Sequence, residues 1–139
     1  MDNKEKTKLK GFAFEVIEEE GLSKPKEIKF RAPLFGAKRK YGTIYRDIRN
    51  GDFIKIIITT TKERFLEDDN GIYRDKATGQ CYRRGYGVPL DNETIIMNMA
   101  HEIAHLKIWR HGISHRSYTQ HILRLLKKKY EVEENGNRR

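Results

Sequence analysis

Between Glu5 and Glu20 the apolar residues Leu9, Phe12 and Val16 recur at helical spacing, and Gly21 follows as a stop signal. The spacing predicts one amphipathic helix. Pro25 opens a different regime. The run EIKFRA alternates Ile28, Phe30 and Ala32, the period of a half-buried strand. Asn50-Gly51 is the strongest hairpin signal in the chain, and it separates YGTIYRDIR from the β-branched run DFIKIIITTT. An antiparallel pair is therefore expected between residues 41–49 and 53–60, with the second strand a candidate exposed edge. GIYR and QCYRR flank the turn chemistry of DKATGQ and suggest a small second hairpin. The cluster Asp68, Asp69, Asn70 lacks the spaced ligands of a calcium loop and reads as a solvated turn.

Pro89, Leu90 and Asp91 introduce NETIIMNMAHEIAHLKIWR, with Asp91 as the N-cap. Its apolar residues Ile95, Ile96, Met99, Ile103, Leu106 and Ile108 span too much of the circumference for one stripe, so this helix should be central and mostly buried. Gly112 is expected to end it. A last helix is expected from about Ser114 to Tyr130, with Tyr118, Ile122, Leu125 and Leu126 inward, followed by a disordered tail, EVEENGNRR, over residues 131–139. The pattern describes a single α+β domain over residues 1–130.

Composition narrows the class of partner. Net charge is +9, with 29 Lys and Arg against 20 Asp and Glu. Such a surplus favours an acidic partner, of which nucleic acid is the commonest. No run approaches a membrane span, so no membrane is expected. The N-terminal MDNKEKTKLK has no apolar segment behind its charges, so the expectation is a cytoplasmic protein without a signal peptide. A single cysteine, Cys81, excludes an internal disulfide and any Cys-based zinc cluster. Two stretches interleave basic and aromatic residues. Lys38, Arg39, Lys40 and Tyr41 lie in the first, and Arg83, Arg84 and Tyr86 in the second. Their cations can hold phosphates and their rings can stack on unpaired bases, which makes them candidates for contact with DNA.

All five histidines fall between His101 and His121. His101 and His105 are four apart on a helix, separated by about 40° of rotation and about one turn of rise, so both imidazoles leave one face. Two imidazoles so placed can share one tetrahedral ion. Glu102, beside them, is placed to take a proton from an attacking water rather than to bind the ion. This is HExxH, the zinc-peptidase pattern. A catalytic zinc needs a third protein ligand and an open fourth position. The candidates are His111, His115 and His121, since Glu131, Glu133 and Glu134 lie about four turns into the last helix. His111 requires the chain to turn sharply within a few residues. His115 shares a face with Tyr118, Ile122 and Leu126, and spacing favours it, with His111 second. His121, about two turns further on, is expected not to ligate.

HEIAH followed by Trp109-Arg110-His111 and then His115 with Tyr118 resembles the SprT family of zinc metalloproteins, which includes the Spartan-type proteases. The resemblance is detailed from Ile95 to Leu126 and only topological before that. It implies a minimal zincin-like domain: a helix, a small antiparallel sheet, the HExxH helix, and a last helix bearing the third ligand. It implies one catalytic Zn2+ held by His101, His105 and His115, with Glu102 as general base. Arg116 follows His115 where the family usually has glycine, and the family's Cys-rich ribbon has no counterpart. The implied activity is zinc-dependent hydrolysis of peptide bonds in a protein substrate, including proteins bound or crosslinked to DNA. Tyr118 and Arg116 are the candidates for stabilising the oxyanion. The alternative is a zinc site that only staples a basic nucleic-acid-binding module.

Overall fold

The computed structural model describes residues 1–31, 42–62, 66–67, 72–74, 81–83 and 88–137. Its architecture is α+β: three helices and a small three-stranded mixed sheet, with two minor strand groups. Helix α1 spans Asn3–Glu19. The Asp2 side chain caps it by accepting from the Glu5 N–H at 2.8 Å. At the far end Gly21 takes a φ of +64°, and the Leu22 N–H returns to the Ile17 carbonyl, the six-to-one closure that a left-handed glycine permits.

Strands β1 (Glu27–Arg31), β2 (Gly42–Arg46) and β3 (Phe53–Thr59) form one sheet in the order β1-β3-β2. The β2–β3 pair is antiparallel, as the hairpin signal predicts. Its connection is wider than a two-residue turn: Asp47 to Asp52 loop out, and the register shifts between Tyr45 and Arg46. Gly51 sits there at a φ of +76°. β1 pairs with β3 in parallel, Ile28 opposite Ile56 and Phe30 opposite Ile58. This corrects the expectation that β3 is an exposed edge. β3 is the central strand, and Ile56, Ile57 and Ile58 are all buried, the continuous apolar run of a strand covered on both faces. Among the described residues β1 and β2 are the sheet's two edges instead.

Short pairs follow. β4 (Thr61–Lys62) pairs with β8 (Val88–Pro89), while β5 (Leu66–Glu67), β6 (Ile72–Arg74) and β7 (Cys81–Arg83) make a three-stranded meander. The β6–β7 pair is the expected second hairpin. The Asp68, Asp69, Asn70 turn lies outside the described residues.

Helix α2 covers Asn92–Ala104, capped by the Asp91 carboxylate on the Thr94 N–H at 2.7 Å. Helix α3 covers Ile113–Asn137. Two boundaries differ from the sequence reading. α2 stops at Ala104 rather than running to Gly112. Its end tightens into three-residue bonds, Leu106 N–H to the Ile103 carbonyl and Lys107 N–H to the Ala104 carbonyl. α3 continues through Glu131–Asn137, most of the segment expected as a disordered tail. Lys8 on α1 reaches Glu133 at 2.6 Å and so ties that extension to the body.

The core lies between the sheet and the helices. Leu9, Val16 and Ile17 of α1 meet Ile28, Ile56 and Ile58 of the sheet, Ile95, Met99 and Ile103 of α2, and Ile122 and Leu126 of α3. All of these are essentially fully buried. α2 packs against α1, α3, β2 and β3, which makes the helix bearing HExxH central to the fold. Among the described residues no helix is long and apolar enough to cross a membrane.

Candidate metal centre

The open side of α2 faces a cleft of about 770 Å³. β2 forms one wall through Gly42, Thr43 and Ile44, and α2 supplies Asn98, His101, Glu102 and His105. The turn after α2 closes it with Trp109, Arg110 and His111.

Four of the five histidines converge here. His101, His105 and His115 offer ligand atoms that all lie within 4.8 Å of one another, close enough to hold a metal ion. A tighter grouping coexists with it. The Nε2 atoms of His101, His105 and His111 form a triangle with sides of 3.2, 3.1 and 3.2 Å. Imidazoles at about 2.0–2.1 Å from a tetrahedral zinc stand about 3.3–3.4 Å from each other, so this triangle fits the ion almost as it stands.

Hydrogen bonding tells the rings apart. His105 Nδ1 lies 3.1 Å from the Ile108 carbonyl, which can only accept. Nδ1 therefore carries the proton and Nε2 presents its lone pair to the triangle. Burial holds the His105 pKa below its ordinary value, and His101 is lowered further, to about 4, by burial first and then by its histidine neighbours. Both are neutral at pH 7, as metal ligands must be.

His115 is placed differently. It is buried, and its Nε2 lies 3.1 Å from the His101 carbonyl, in the last turn of α2 where carbonyls run out of helical partners. Its Nε2–H thus caps that helix end and leaves the lone pair on Nδ1, the second nitrogen through which His115 can ligate. Its ring stacks on His105, centroids 4.0 Å apart and planes 25° from parallel. An imidazole lone pair lies in the ring plane, so two nearly parallel rings aim along separate planes rather than at one point. The rings of His105 and His111, at 76°, converge. His115 does not line the cleft, and His111 does.

Glu102 is buried, and burial pushes its carboxyl up to about 7. Its confinement comes from β2: a Cβ built on Gly42 would stand 2.8 Å from both Glu102 Cγ and Oε1. Glycine at that position is what lets the strand lie on the carboxylate. Asn98, one turn before Glu102 on α2, has a buried amide nitrogen without a partner among the described residues.

The remaining candidates separate. His121 binds Glu20 at 2.8 Å and takes no part in the cluster, as expected. Tyr118 donates to the same Glu20 oxygen at 3.1 Å and does not line the cleft, nor does Arg116, so neither reaches a reacting carbonyl there. Lys38, Arg39, Lys40, Tyr41, Arg84 and Tyr86 lie outside the described residues; Arg83 is the last residue of β7. Sequence reasoning did not single out Arg46, whose guanidinium lies 4.2 Å over the ring of Trp109, a residue that lines the cleft. The cation–aromatic interleaving of KRKYGTIYR includes it, and that was the available signal. No family model, curated protein or solved structure matches the chain.

Proposed function

We propose that this chain is a zinc-dependent metallopeptidase with a minimal zincin-like domain of the SprT type. The observation that carries the reading is the Nε2 triangle of His101, His105 and His111 beside the buried Glu102 carboxylate, on a cleft walled by an edge strand. His111 takes the place that spacing favours for His115. What supports it is the convergence of its ring with that of His105 and its position on the cleft. The alternative third ligand is His115, whose Nε2–H bond to the His101 carbonyl leaves Nδ1 to ligate.

When bound, the zinc ion supplies a Lewis acid that polarises a peptide carbonyl and acidifies water. Glu102 accepts a proton from the attacking water and passes it to the leaving amine. A carboxyl near 7 is matched to that exchange at neutral pH. An extended substrate is held by adding to the outer edge of β2, which pairs with no further strand among the described residues and whose Gly42, Thr43 and Ile44 line the cleft. A zinc that merely stapled a basic module would have no use for a buried carboxylate at this spot. The net charge of +9 supports protein targets held on or near DNA.

The test is zinc content and casein cleavage in parallel. His111→Ala should lose zinc, while His115→Gln, whose amide still donates to the His101 carbonyl, should keep it. The reverse pattern would return the third ligand to His115. Glu102→Gln should keep zinc and lose cleavage. A wild-type chain that takes up no zinc after reloading would overturn the whole reading.

A further inference from the structure

Two cations beside the exposed Trp109, Arg46 and Arg110, have no acidic partner among the described residues. The Arg46 guanidinium, at the end of β2, lies 4.2 Å over the ring of Trp109, and the exposed Trp109 and Arg110 line the cleft. Neither forms an ion pair among the described residues, where six other side-chain pairings do. Glu102 is the sole acidic residue among the described residues lining the cleft.

The platform beneath Arg46 is braced. Trp109 is 43% exposed, yet its ring has Phe53 of β3 at 6.0 Å and the His105 ring at 6.1 Å. A guanidinium stacked on an aromatic face keeps its N–H groups free at the rim, in the fork geometry that suits a carboxylate. Stacking also orders the long side chain before any ligand arrives, which lowers the entropic cost of binding. A bound dication beside these groups would make this side of the cleft more positive still.

We infer that this side of the cleft is a subsite for an acidic side chain of the substrate, with Arg46 on its Trp109 platform and Arg110 receiving the carboxylate. This rests on the peptidase reading for the word substrate, but not for the binding itself. The edge of β2 sets the peptide backbone, and Arg46, at the end of that strand, then reads one residue along it. A lysine at that residue meets two like charges, so the subsite selects against basic segments as well as for acidic ones.

Trp109 is the single tryptophan of the chain, so its emission reports the subsite directly. The probes are blocked alanine-based hexapeptides in which one Glu is moved through each position, with Gln and Lys counterparts. They are titrated into zinc-loaded Glu102→Gln protein, with affinities confirmed by calorimetry. At one position the Glu peptide should bind roughly five- to tenfold tighter than its Gln twin, and the Lys peptide more weakly than either. The gap should shrink in Arg46→Gln, shrink again with Arg110→Gln added, and narrow as salt is raised. Equal affinities for the Glu and Lys peptides would overturn the inference. So would a gap that survives both substitutions. Casein cleavage by the wild-type enzyme is followed alongside. Cleavage without charge preference would sink the subsite and leave the peptidase. Charge preference without cleavage would do the opposite.

Discussion

Replacing Glu102 by glutamine tests the electrostatics of the cleft without needing a substrate. Burial raises the Glu102 carboxyl from 4.5 to about 7. Between those values the folded chain keeps a proton that the unfolded chain has released. The associated stability is present below about pH 4.5 and is lost as the pH rises through about 7. At about 1.4 kcal/mol for each pH unit between the two values, full ionisation costs the metal-free fold about 3 kcal/mol. Glutamine has the same shape and never ionises, so Glu102→Gln should match wild type near pH 4.5 and exceed it by that amount at pH 8.5. For a chain of this length the gain corresponds to a rise on the order of 10 °C in Tm. The assay is thermal unfolding by circular dichroism in chelator, wild type against variant, across that range. Added zinc should narrow the difference, since a cation in the cleft favours the carboxylate. An offset in Tm that is the same at both ends of the range would refute the reasoning.

Gly42→Ala brings a Cβ to 2.8 Å from Glu102 Cγ and Oε1, and the carboxylate has to give way. Zinc content should be unchanged and casein turnover should fall at least about tenfold, as misplacement of a reacting group by about 1 Å does; unaltered turnover would show that Glu102 is not held by the strand. Met99→Ala empties a fully buried position between the helices and the sheet, and urea unfolding should report a loss of about 2–5 kcal/mol.

Much of this fold is written in local patterns. The cap at Asp91, the stop at Gly21 and the Asn50-Gly51 connection each act within a few residues, and each is found where the pattern puts it. The position of β3 is different. Its run of isoleucines says that both faces are buried, but β1 lies in parallel beside it only because the chain returns from elsewhere, and no local spacing encodes that. At the metal centre the pair His101 and His105 with Glu102 follows from helical geometry alone. The choice between His111 and His115 does not. Sharing a face with Ile122 and Leu126 correctly marks His115 as inward, and the fold brings it close enough to His101 and His105 to hold a metal ion with them. The arrival of His111 depends on α2 ending at Ala104, where the His105 side chain engages the Ile108 carbonyl and no glycine or proline announces the stop.

The triangle of imidazoles also bears on how the molecule comes together. His101, His105 and His111 lie within a single short stretch, so the loops an ion would have to close are four and six residues long. Closing loops that short costs little chain entropy, whereas β1 must find β3 across a distant part of the sequence. On the proposed reading, a nascent chain can capture its ion while the sheet is still unpaired. Zinc would then be an early organiser of the helix and turn rather than a late addition to a finished pocket, and metal supply would govern how quickly the protein matures as well as whether it works.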